Sequence, residues 1–76
     1  MTPREWDILT ALAYFGTVKA ARAHLGMARN TIHNHLRSIY GKLGANHATH
    51  AVWLTWRKGL AERYDALDRS LRERAA

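Results

Sequence analysis

The chain has 76 residues, no cysteine, and 12 lysines and arginines against 6 acids, for a net charge of +6 and an isoelectric point near 10.6. One small domain of this length leaves only about a few kcal/mol of net stability, so a stapling element or a partner subunit is expected, while the lack of cysteine excludes disulfides, thiolate zinc sites and a cysteine nucleophile. No apolar run approaches the ~20 residues that span a bilayer and the first residues lack a basic-then-apolar signal pattern, which points to a soluble intracellular protein with no membrane partner.

Strands have little support, because the β-branched residues never alternate over four or more positions, and the reading is all-α. Thr2-Pro3-Arg4-Glu5 supplies an N-cap threonine, a proline whose missing N–H is harmless in a first turn, and a glutamate placed to close a capping box. A first helix is expected over about 3–15, with Trp6, Leu9, Leu12 and Ala13 at helical spacing, Ile8 and Phe15 beside them, and Gly16 as its left-handed stop. Thr17 can cap a short second helix over about 18–25, which Gly26 ends. A third, over about 29–43, puts Ile32, Leu36, Ile39, Tyr40 and Leu43 on one apolar face, with Gly44 closing it. Thr31, His33, Asn34, Arg37 and Gly41 remain on a polar or small side. The fourth, over about 47–58, carries Ala48, Ala51, Val52 and Thr55 on one side and Trp53 and Trp56 on another. Gly59 either stops it or lets it continue into a fifth helix over 60–76, in which Leu60, Tyr64, Leu67 and Leu71 form a seam and Asp65–Arg69, Asp68–Arg72 and Arg69–Glu73 are i,i+4 charge pairs. The chain thus divides into residues 1–59 and a C-terminal amphipathic helix, 60–76.

The acids are Glu5, Asp7, Glu62, Asp65, Asp68 and Glu73, so residues 8–61 hold none while carrying Lys19, Arg22, Arg29, Arg37, Lys42, Arg57 and Lys58. This basic middle favours a polyanionic partner, whereas from Leu60 onward four acids balance four arginines. The stretch NTIHNHLRSIYGKLG, Asn30 to Gly44, at first resembles a histidine cluster. On a helix that advances ~100° per residue, however, His33 and His35 lie on nearly opposite faces and cannot share an ion. His47 and His50 offer two ligands where zinc takes three or four, and no metal or cofactor is expected. Catalysis lacks a carboxylate anywhere in 8–61 to orient a histidine, so no enzyme is expected, although a metal-free ribonuclease using two histidines and Lys42 is chemically conceivable. The geometry fits a third role better. A short helix, a glycine turn and a longer helix with an aliphatic buried face leave His33, Asn34 and Arg37 outward, where they match base edges in the major groove: arginine with guanine O6 and N7, asparagine with adenine N6 and N7, histidine with a purine N7. Arg29 and Thr31, at the start of that helix, would meet phosphate.

TPREWDIL, then KAARAHLGMARNTIHNHLRSIYGKLG, then AVWLTWRKGL resembles, in order and spacing, the LuxR-type (GerE or FixJ-like) helix-turn-helix domain over residues 2 to about 60. The matching features are Thr2 to Glu5, Leu25-Gly26, Thr31-Ile32, His35 and Lys42-Leu43-Gly44. The resemblance implies a four-helix fold whose third helix enters the major groove and whose fourth makes a two-fold dimer on DNA. Carried over by position, His33, Asn34 and Arg37 face bases, while Thr31, His35 and Lys42 approach the backbone, with Lys19 and Arg29 placed beside them. The chain departs from the pattern at His33, where relatives carry lysine or arginine and where a histidine adds pH dependence near neutrality. Arg22 stands in place of a small alanine, so that the second helix is rotated or the arginine stem lies along the surface with its head at a phosphate. Ala28 replaces a serine cap at a cost of ~1 kcal/mol, Ala20 replaces a glutamate, and Ala48 an arginine.

Trp53 is expected outward, because Ala51, Val52 and Thr55 occupy the inward side of the fourth helix, and an exposed indole points to a partner. Trp56, Leu60, Tyr64, Leu67 and Leu71 are assigned with it to a dimer interface; the competing arrangement folds the last helix back onto its own core. With no sensor ahead of Thr2, the expectation is a stand-alone homodimeric transcription regulator on a pseudo-palindromic DNA site, cytoplasmic and nucleoid-associated, in a bacterium or encoded by its phage. The alternative is a module like the promoter-recognition domain of sigma factors, docking on RNA polymerase or another regulator.

Overall fold

The computed structural model describes residues 1–75, which form five α-helices and no strand: α1 Pro3–Phe15, α2 Val18–Leu25, α3 Arg29–Leu43, α4 Ala48–Thr55 and α5 Leu60–Ala75, with a 3-10 turn Trp56–Lys58 between the last two. The all-α reading holds, and the end of the expected last helix at Ala76 lies outside the described residues. Local chemistry accounts for the start of α1. The Glu5 N–H donates to Thr2 Oγ1 at 3.2 Å and the Thr2 N–H to Glu5 Oε1 at 2.8 Å, which satisfies two amides that would otherwise lack partners. The helix ends at Gly16, whose φ of 83° suits a residue without Cβ.

One cluster forms the core: Ile8, Leu9 and Leu12 of α1, Ala21 of α2, Ile32, Leu36 and Ile39 of α3, Ala51 of α4 and Leu60 of α5. Each fully buried leucine or isoleucine in such a set is worth roughly 1.5–3 kcal/mol. Tyr40 and Leu43, read with the α3 core stripe, are only half-buried at its edge.

Between α2 and α3 the turn is closed by Arg22, whose Nε donates to the Met27 carbonyl at 3.3 Å. Of the two arrangements expected for this arginine, the surface one is closer, but its head goes to a turn carbonyl rather than outward to a phosphate. Ala28 caps α3 with no side-chain hydrogen bond. Ala28→Ser is therefore expected to raise stability by about 1 kcal/mol, because its hydroxyl can accept from the free amide of Thr31; chemical denaturation of the two proteins checks it.

The expected single helix over 47–58 is shorter and broken. The Thr55 hydroxyl, buried, donates back to the Ala51 carbonyl at 2.8 Å and the Val52 carbonyl at 3.2 Å, the last turn tightens to 3-10 geometry, and Gly59 at φ 126° turns the chain into α5. At the other end His47 is the N-cap, its Nδ1 accepting from the His50 N–H at 3.3 Å. That bond requires the neutral ring with its proton on Nε2.

α5 folds back along α1, and this corrects the dimer assignment of Leu60. Leu60 is completely buried within its own chain. The Tyr64 ring lies 5.0 Å from Tyr14 and 5.5 Å from Trp56, and half-buried Leu67 lines a cleft with Thr10 and Leu25. Leu71 is half-buried near the far end of the helix. The physical reason is that α1 presents an apolar flank beside Trp6 and Tyr14, and an intramolecular seam needs no second molecule to cover it. Two polar contacts fix the alignment. The Tyr14 hydroxyl donates to Asp68 Oδ1 at 2.7 Å while Arg72 Nε donates to Oδ2 at 2.9 Å, and the Arg63 guanidinium sits 4.7 Å above the Trp6 ring. The tyrosine's hydrogen bond, with the arginine behind it, holds the Asp68 carboxyl below its ordinary range and pushes the Tyr14 phenol up. α5 is thus the staple that a chain of this size requires.

Candidate nucleic-acid interface

α3 owes its position to its two sides. Ile32 and Ile39 are fully buried and Leu36 nearly so, which pins one side to α1, while Asn30, His33, Asn34, Arg37 and Gly41 are exposed. The structure therefore brings His33, Asn34 and Arg37 together on one open helix surface. Thr31 is exposed on the adjoining flank and His35 there is half-buried. Arg29 is exposed in the first turn of α3 and Lys19 in the first turn of α2. No acid belongs to residues 8–61, so nothing along the α2–α3 sequence offsets these cations.

Lys42 is placed differently from its expected role at the backbone. Its Nζ donates to Glu5 Oε1 at 2.7 Å and Oε2 at 2.9 Å, across 37 residues of sequence, and the Ser38 hydroxyl donates to Oε2 at 3.3 Å. The carboxylate is almost fully buried while the lysine side chain is 47% exposed. The Lys42 ammonium, assisted by the Thr2 amide, holds the Glu5 carboxyl down at about 2. An ammonium has three N–H donors, so one remains for an outside ligand, but its charge is largely offset. This tie fixes the C-terminal half of α3 to the N-terminus of α1 and thereby sets the angle at which the exposed row is presented. Sequence reading paired Glu5 only with Thr2, since nothing local announces a partner so far along the chain.

Two further surfaces complete the site. Beside α3, an open cleft is lined by Val18 of α2, by His33, Arg37 and Tyr40 of α3, and by Ala45 and Asn46 of the following turn. Across α4, Trp53 is 74% and Trp56 39% exposed; both line an open groove with Val52, Leu54, Arg57 and Lys58. Among the described residues no group of three or more histidine or acidic side chains is arranged to hold a metal ion, and no helix is long and apolar enough to cross a membrane.

Comparison with known proteins agrees with this architecture. The chain is 40% identical over 60 residues, 79% of its length, to the transcriptional regulatory protein YdfI of Bacillus subtilis (strain 168). It is 41% identical over 54 residues, 71% of its length, to the probable transcriptional regulatory protein SgaR of Hyphomicrobium methylovorum, and 36% identical over 56 residues, 74% of its length, to the probable HTH-type transcriptional regulator GfsR of Streptomyces halstedii. The matches cover 28%, 26% and 23% of those proteins, so the chain spans about a quarter of the length of the curated relatives. No solved structure matches. The model of the GerE domain, described as bacterial regulatory proteins of the luxR family, matches residues 1–55, all of α1 to α4, and the chain belongs to that family.

Proposed function

We propose that this domain binds double-stranded DNA sequence-specifically as a homodimer, with α3 in the major groove, and so regulates transcription. The observation that carries the reading is the exposed row of His33, Asn34 and Arg37 on a helix whose other side is buried. These three side chains offer directional hydrogen bonds to base edges. Lys19, Arg29, Thr31 and His35 meet phosphates, with the remaining N–H of Lys42. The luxR-type family and the regulator names of the relatives support the transcriptional role. Dimerisation rests on Trp53 and Trp56, because so exposed an indole beside apolar Val52 and Leu54 is an unusual surface for a monomer. Two copies joined through α4 give a pseudo-palindromic site.

Selection from random DNA, followed by binding at several salt concentrations, tests this. The expected result is a two-fold related motif bound with a log–log salt slope of about −5, for ~3 phosphates per protomer. Arg37→Ala should cost about 1–2 kcal/mol and relax the preference at one base position without changing the rest of the motif. A protein that shows no salt-sensitive preference for any sequence yet captures RNA polymerase would establish a polymerase-docking role instead.

A further inference from the structure

Of the expected phosphate contacts of α3, Thr31, His35 and Lys42 lie on one flank of the reading row, and Arg29 alone, in the first turn, is turned towards the other. Taking Asn34 as the outward direction, His35 is turned about 100° to one side, and Tyr40, six residues on, about 120° to the other. A helix is roughly as wide as the major groove, so both flanks run close to a backbone wall. One wall is met by Thr31 and His35. The other faces the cleft formed by Val18, His33, Arg37, Tyr40, Ala45 and Asn46.

We infer that Tyr40 and Asn46 are DNA-backbone contacts, seating a phosphodiester of the strand opposite to the one met by Thr31 and His35. This rests on the DNA reading above and deepens it. Tyr40 is half-buried on the α3 core edge, which fixes its ring, while its hydroxyl has no hydrogen-bond partner among the described residues and, as no buried polar side-chain atom lacks a partner, opens to solvent. Burial pushes the Tyr40 phenol up, so it stays protonated and able to donate at neutral pH. Asn46 is exposed and lines the same cleft, one residue before the His47 cap, and its side-chain amide is also without a partner among the described residues. Two neutral donors that line one cleft together with apolar Val18, Leu36 and Ala45 suit a phosphate oxygen with the adjoining deoxyribose. His33 and Arg37 share the same cleft, so a phosphate anchored there registers their side chains against the bases.

The test uses the selected DNA site, with Tyr40→Phe and Asn46→Ala variants of the full chain. Each is expected to bind about tenfold more weakly, on selected and random DNA alike. The motif and the salt slope should stay as in the parent, because neither residue is charged, and the thermal midpoints should stay too, because neither group is bonded within the protein. A scan of single neutral methylphosphonates should find one position that weakens the parent but not Tyr40→Phe. Unchanged affinity of both variants, or a changed motif, would overturn the inference while leaving the DNA reading intact; a parent that selects no sequence would overturn both.

Discussion

Leu60→Ala is expected to cost about 2–5 kcal/mol, a large part of what a domain this small possesses, and to lower its thermal midpoint by roughly 10 °C or more. The residue belongs to no part of the helix-turn-helix pattern, yet it is completely buried within the core cluster and is the anchor by which α5 joins it. Truncation leaves a cavity and also loosens the Tyr14–Asp68–Arg72 and Trp6–Arg63 contacts that lie beyond it. Calorimetry of the variant checks the magnitude. The same measurement at several protein concentrations separates the two roles the seam can have. An intramolecular staple gives a concentration-independent loss, whereas a seam buried between subunits makes the midpoint rise with concentration.

Glu5→Ala is expected to remove roughly 2–3 kcal/mol, since it deletes the capping box and leaves the Lys42 ammonium without its partner at once. Its signature is in the pH dependence. With the folded-state Glu5 carboxyl held at about 2 against an ordinary 4.5, the stabilisation it gives is fully present above about pH 4.5 and drains away as the pH falls towards 2, where the native carboxyl also takes up a proton. The parent should therefore lose stability steeply across that window. Glu5→Gln, which keeps the shape and removes the charge, should start lower and decline less, with only Asp68 and the ordinary carboxylates contributing. Thermal midpoints from pH 6 down to 2 decide it; parallel curves would contradict the ion pair. Lys42→Ala supplies a further comparison: loss of the tie lowers stability, whereas the salt slope of DNA binding should change by less than one, because Glu5 offsets most of that charge.

What sequence made legible was whatever one helix settles by itself. The Thr2–Glu5 box lies within one turn, and the 32/36/39 stripe is a matter of period alone, so the outward row of α3 could be named before any packing was known. Glu5 with Lys42, 37 residues apart, and Tyr14 with Asp68, 54 apart, depend on how helices dock, which no local pattern encodes. The α5 seam shows the limit most clearly. Its spacing announces an apolar side that something must cover, but the covering surface was α1 of the same chain, and the assignment of Leu60 to a second molecule failed for that reason. His47 makes at most half of a metal site with His50, and its actual use went unread: it spends its Nδ1 on capping α4. Tyr40 and Asn46 escaped notice because they straddle the α3–α4 turn and converge only once that turn is folded.

The return of α5 onto α1 also orders events during synthesis. α1 is made first, but its Trp6 and Tyr14 flank finds its cover only when residues 60–71 have been translated and the chain has turned at Gly59. The longest-range contacts of the domain join the earliest helix to the latest, so closing them waits on nearly the whole chain.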